Sequence, residues 1–116
     1  AEVLGLSRDY TIARFAVNES SWLSHRKLAD IHLEKEGILV FSIYRTVDGE
    51  DRFIGVPKGN TEILPNDVLY CYGRGEVAKA LSRRGKGLAG DKEHDDKVEE
   101  EEQLAKAREV KGGFDE

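Results

Sequence analysis

The sequence predicts a small α+β domain in which a mainly antiparallel β-sheet packs with short helices. Three apolar, β-rich segments lie between residues 37 and 73 and are joined by two turn signals. A segment with helical spacing precedes them and a second one follows them. At 116 residues, the chain is long enough to bury one modest core.

Turn chemistry fixes the order of the three central segments. Asp48-Gly49 is a dipeptide that accepts the positive φ angles of a tight hairpin, which joins the first segment to the second. Pro57 ends the second segment because proline lacks the amide donor of a sheet ladder. Pro65-Asn66-Asp67 forms the next turn. The predicted strands are residues 38–45, 52–56 and 68–72.

Three further elements complete the predicted domain. Residues 10–17 alternate as a strand does. Ser24 is the predicted N-cap of a helix that runs to about Lys35 and ends at Gly37, which accepts a left-handed conformation. Residues 76–84 form a second short helix, with Val77 facing inward. The chain is expected to divide into a globular part, residues 1–84, and a tail, residues 85–116.

The charge of the chain is concentrated in its tail. Residues 1–84 contain 12 basic and 12 acidic residues, whereas residues 85–116 contain 6 basic and 11 acidic ones, which accounts for the net charge of −5. A neutral domain with an acidic tail is a poor nucleic-acid binder. Residues 85–90 are interpreted as a flexible linker. Residues 91–111 are either a solvated helix or disordered, and the tail is expected to be dispensable for folding.

Candidate reactive residues form no catalytic or metal-binding pattern, so an enzyme is not predicted. Residues 73–78 match the GxGxxA dinucleotide fingerprint, but no second parallel strand follows them. His25 and His32 lie seven positions apart rather than at the i,i+4 spacing of a helical metal pair. His94 lies in an acidic run, which is typical of solvated surface. Cys71 is interpreted as a small core residue.

The cellular context follows from what the sequence lacks. A lone cysteine excludes an internal disulfide and favours a reducing compartment. No apolar run reaches the roughly 20 residues of a membrane-spanning helix. The sequence has no signal peptide and no methionine, so it is interpreted as a piece of a longer protein.

A series of short motifs resembles the RCK C-terminal (TrkA-C) regulatory domain of potassium channels and transporters. The resemblance covers about residues 8–84 in the same order and spacing, and each motif alone is weak. The matching pieces are residues 10–17, Ser21-Trp22-Leu23, residues 27–31, residues 37–40, residues 43–45, residues 57–61 and residues 63–69, with the match ending at Gly73.

The resemblance implies a cytoplasmic homodimer, fused to or associated with a membrane-embedded cation channel or transporter, and no cofactor beyond a small regulatory ligand in the dimer cleft. In members that bind a cyclic dinucleotide, the ligand contacts come from the short helix, its exit and a proline after the next hairpin. By position these are Leu28, Ala29, His32, Glu34, Ile38, Leu39 and Pro57. Glu34 stands where those members carry an arginine, which disfavours a phosphate ligand here.

The sequence leaves two functions open and gives the least support to a third. The domain is either a ligand-sensing regulatory module or a purely structural dimerisation module, because the same surfaces serve both. An enzyme is the least supported class, since no set of residues supplies a base, a nucleophile or a metal site.

Overall fold

A four-stranded antiparallel sheet forms the centre of the structure, a computed structural model that describes residues 9–112. Its strand order is β1-β6-β3-β4, and a separate small sheet pairs β2 with β5. This architecture confirms the predicted α+β fold. In chain order the elements are β1 (Tyr10–Ala16), β2 (Arg26–Lys27), α1 (Leu28–Ile31), a 3-10 helix (Leu33–Glu36), β3 (Leu39–Val47), β4 (Glu50–Gly55), β5 (Glu62–Ile63), β6 (Val68–Arg74), α2 (Gly75–Arg83) and α3 (Leu88–Gly112).

Both predicted turns are present with the expected backbone conformations. Asp48 and Gly49 have φ angles of 52° and 82°, the two left-handed residues that a mirror-image hairpin turn between β3 and β4 requires. Asn66 has a φ of 76°, and the amide of Asp67 donates to the carbonyl of Leu64 at 3.1 Å. The turn residues therefore set the path of the chain between β3 and β4 and again just before β6.

The predicted helix from Ser24 to Lys35 is wrong in its extent. The chain instead enters β2, because the amide of His25 donates to the carbonyl of Ile63 at 2.7 Å and so joins the chain to the neighbouring strand. Ser24 therefore caps no helix, and α1 has only four residues. His32, at a φ of 48°, separates α1 from the 3-10 helix. Gly37 ends the 3-10 helix at a φ of 81°, which confirms its predicted role.

The core lies between one face of the sheet and α2. Buried side chains from β3 and β6, such as Ile43 and Leu69, pack with Val77 and Leu81 of α2. Strand β6 is antiparallel to both of its neighbours, so α2 does not lead into a βαβ unit and the GxGxxA match is not a dinucleotide site. The opposite face of the sheet carries contacting aromatic rings, including Tyr44 and Tyr70.

The tail differs from its sequence-based interpretation. Helix α3 already begins at Leu88, inside the expected flexible linker, and it packs against the 3-10 helix. No apolar stripe in the sequence indicates this docking, because several of the contacts are ion pairs. One of them is the ion pair between Arg74 and Glu100, at 2.9 Å. The dispensability of the tail for folding stays a prediction. In residues 9–112, no helix is long and apolar enough to span a membrane.

A buried ion pair holds the turn before β6, and its removal should destabilise the domain. Asp67 has no exposed surface, receives two hydrogen bonds of 2.8 Å from Arg45, and accepts the amide of Leu64 at 2.8 Å. We expect Asp67→Ala to lower the free energy of unfolding by about 3 kcal/mol, since it leaves a partly buried guanidinium unpaired. Urea denaturation measures this change.

The matched control is Asp51→Ala, which removes an exposed carboxylate that accepts a hydrogen bond from Thr46 in the same sheet. We expect that substitution to change the free energy of unfolding by about 0.5 kcal/mol or less. Equal effects of the two substitutions would contradict the structural role assigned to Asp67.

Burial should make the thiol of Cys71 unreactive in the folded protein. Desolvation raises the pKa of Cys71 from 9.0 to about 12. We therefore expect an aromatic disulfide reagent to react with the thiol at pH 8 only after denaturation. The folded state also retains the thiol proton above pH 9.0, so this group's contribution to stability falls as the pH rises from there towards 12. Rapid labelling of the native protein would contradict this prediction.

Candidate functional site

A concave apolar pocket of about 230 Å³ lies where α1, the 3-10 helix, the start of β3 and the segment after β4 meet. It contains six of the seven site residues predicted from the resemblance. These are Leu28, Ala29, Glu34, Ile38, Leu39 and Pro57. Residues distant in the sequence are thus brought together on one surface.

The backbone around the pocket explains this convergence. The left-handed conformation of His32 turns the chain from α1 into the 3-10 helix, so both elements face the same space. The amide of Ala29 donates to the carbonyl of Gly59 at 2.8 Å and holds the segment after Pro57 against α1. A Cβ atom on Gly59 would lie 3.2 Å from that of Ala29, so a small residue suits this close approach.

The predicted set differs from the pocket lining in two ways. His32 does not line the pocket: its half-exposed side chain lies beside the rim, with its Nδ1 atom 3.5 Å from a carboxylate oxygen of Glu34. Sequence reasoning also missed four lining residues, Leu33, Val40, Lys58 and Gly59. Lys58 and Gly59 directly follow Pro57, and that adjacency is the signal that would have identified them.

A buried ion pair anchors the 3-10 helix that forms part of the pocket wall. The carboxylate of Glu36, the last residue of the 3-10 helix, receives two hydrogen bonds of 2.8 and 2.9 Å from Arg84, and both side chains have no exposed surface. Burial alone would lower the pKa of Arg84, but the bonds and charges of Glu36 and Glu93 outweigh it and raise that pKa. The Nδ1 atom of His94 lies 2.6 Å from Glu36. These contacts fix the 3-10 helix in place.

The pocket offers apolar contacts and two charged groups. Its lining is mainly apolar, with a carboxylate at Glu34 and an ammonium group at Lys58. Cys71 is buried with a raised pKa, which makes it a poor nucleophile. Within residues 9–112, no group of three or more His, Cys, Asp or Glu residues is placed to hold a metal ion.

Comparison with protein families identifies the domain. The model of the TrkA-C domain matches residues 12–84, which is more than half of the chain. The chain belongs to the TrkA-C domain family. TrkA-C domains are regulatory domains of potassium transport systems. The family match confirms the resemblance that the short motifs indicated. The match includes every pocket residue and ends before α3.

Other comparisons are less extensive. No curated protein matches the sequence. Among solved structures, a chain described as the crystal structure of the GsuK RCK domain aligns at 17% identity with a TM-score of 0.49. The alignment covers 66% of this chain and 16% of that one, so the present chain spans a small part of that structure's length.

Proposed function

We propose that this TrkA-C domain senses a small ligand in the cytoplasm and regulates a potassium or other cation channel or transporter, to which it is fused or bound. The observation that supports a ligand is the convergence of six of the predicted contact residues on one apolar pocket. Membership of the TrkA-C family supports the link to potassium transport.

The pocket of one chain has the size expected of half a binding site. Its volume of about 230 Å³ is below the roughly 300–1,000 Å³ of typical small-molecule sites. Leu39 lies in its lining and is 59% exposed, so the mouth is apolar and open. A second copy facing the first across a two-fold axis would repeat every lining residue and enlarge the cavity. This arrangement suits a symmetric ligand.

A dimer also explains the apolar surface near the pocket. Trp22 is buried within a single chain and needs no partner to cover it. The large apolar side chains that do remain exposed include Leu39, together with Phe53 and Val56 on and after the edge strand β4. Exposed apolar groups on an edge strand are commonly covered by a partner.

The dimer should form at tens of micromolar and depend on Leu39. We expect sedimentation velocity to show a dimer for the wild type and mainly monomer for Leu39→Glu, because the substitution places two carboxylates in an apolar contact. Leu88→Glu is the matched control, since Leu88 is 86% exposed but lies at the start of α3, outside the pocket lining. A monomeric wild type, or equal effects of both substitutions, would contradict the proposed cleft.

Glu34 should disfavour anionic ligands. Its carboxylate lines the pocket, whereas the members that bind a cyclic dinucleotide carry an arginine there. We expect weak or absent binding of cyclic di-AMP by the wild type at pH 7. Glu34→Arg should strengthen that binding by about tenfold or more, since it replaces a repulsive charge with a phosphate-matching group.

Titration calorimetry on both proteins measures this difference. The matched control is Glu99→Arg, which makes the same change of charge at an exposed position on α3 away from the pocket. The role of Glu34 would be refuted by tight wild-type binding that is lost in Glu34→Arg, or by an equal gain in the control.

The second candidate function is a structural dimerisation module without a ligand, which the exposed apolar side chains beside the pocket favour. A thermal-shift screen of nucleotides and other small metabolites separates the two functions. A ligand that binds only the folded state must raise the unfolding midpoint. A dimer that no compound stabilises would favour the structural module.

A further inference from the structure

Helix α3 lies beyond the residues matched by the TrkA-C family and docks on the domain through charged side chains. Glu93 pairs with Arg84 at 3.0 Å, and Glu100 pairs with Arg74 at 2.9 Å. The hydrogen bond from Arg74 holds the pKa of Glu100 below its ordinary value, in keeping with an engaged carboxylate. The helix contains nine acidic and five basic residues, and two of its acidic residues form these ion pairs with the domain.

The first turns of α3 pack closely against Trp22. The indole Nε1 of Trp22 donates to Asp91 at 2.9 Å, and its ring stacks on His94 with centroids 5.1 Å apart. Gly90 is pressed against the same ring: a Cβ atom there would lie 2.7 Å from Trp22 Cδ1 and would collide with the carbonyl of Gly85. Only glycine permits this approach, and Trp22 is 3% exposed beneath the helix.

The other contact of α3 is with the wall of the pocket. His94 bonds Glu36 of the 3-10 helix, and a Cβ atom on Gly37 would lie 2.7 Å from a carboxylate oxygen of Glu101. Glu34 lines both the pocket and a groove between the 3-10 helix and α3. The 3-10 helix is therefore a wall shared by the pocket on one side and α3 on the other.

We propose that α3 is a salt-releasable strap, which is docked at low ionic strength and released as the KCl concentration rises, loosening the 3-10 helix. The Debye length falls from about 10 Å at 0.1 M salt to about 3 Å at 1 M. The pairs with a partly exposed carboxylate, Arg74–Glu100 and Arg84–Glu93, are weakened more than the fully buried pair of Arg84 with Glu36. No continuous apolar stripe on α3 compensates for that loss. The consequence for ligand binding rests on the proposed function, whereas the release itself does not.

Trp22 is the only tryptophan and reports directly on the strap. In the full chain, acrylamide quenching of its fluorescence and the indole N–H resonance are followed from about 0.1 M to about 1 M KCl. We expect the quenching constant to rise about twofold or more as the screening length shortens. Sucrose at equal osmolality should leave it unchanged. Far-UV circular dichroism of the sheet confirms that the domain stays folded throughout.

Single substitutions separate specific docking from general charge effects. Glu93→Gln and Glu100→Gln each remove one ion pair between α3 and the rest of the domain and should shift the release to lower KCl concentrations. Glu100→Gln also removes a pair with Lys97 inside α3. Glu99→Gln is the matched control, because it removes the same charge from an exposed position on the same helix. Gly90→Ala should release the strap without any change of charge, although alanine is the better helix former.

Hydrogen exchange tests the link to the pocket wall. The amides of Gly37 and Ile38 donate within the 3-10 helix region, whereas that of Thr61 donates to Lys58 on the far side of the pocket. We expect KCl to accelerate exchange at Gly37 and Ile38 and to leave Thr61 unchanged. Exposure of Trp22 without faster exchange at Gly37 and Ile38 would overturn the coupling to the wall.

The strap itself would be overturned if Trp22 stays equally protected at both salt concentrations. It would also be overturned if Glu99→Gln shifts the release as far as Glu93→Gln does. Should Glu93→Gln fail to fold, Glu100→Gln makes the same test at a more exposed pair. None of these measurements detects ligand binding, so their failure is distinct from a negative ligand screen.

Discussion

The buried ion pair between Glu36 and Arg84 is the interaction on which the arrangement of the other parts depends. Glu36 ends the 3-10 helix that walls the pocket, and Arg84 directly follows α2. Both side chains have no exposed surface, so each charge must be compensated by the other and by its neighbours. Because His94 and Glu93 of α3 complete the set, one cluster connects the pocket wall, the second helix and the tail.

The sheet supplies a rigid base for this cluster. Strand β6 lies between β1 and β3, buries Leu69 and Cys71 against the core, and leads directly into α2. The pocket, in contrast, is built at the edge of the sheet from short elements whose conformations depend on tertiary contacts. A stable sheet with a less regular edge suits a regulatory domain, since elements with few apolar contacts open at the lowest free-energy cost.

Charge also distinguishes the two sides of the 3-10 helix. On the pocket side, Glu34 lines the cavity and is exposed to solvent. On the α3 side, Glu36 is already neutralised by Arg84. Two carboxylates two residues apart therefore lie in different environments: the exposed one has the recognition role that we propose, and the buried one holds the 3-10 helix against Arg84.

The sequence by itself determined the four strands of the main sheet, the two turns and the family, because β propensity, Asp48-Gly49 and Pro65-Asn66-Asp67 are local signals. It also indicated most of the pocket through the family's motif. Only the tertiary structure decided the path of residues 24–36, where pairing of β2 with β5 replaced a helix. The same holds for the docking of α3, since ion pairs between distant residues such as Arg84 and Glu93 leave no periodic pattern in a sequence.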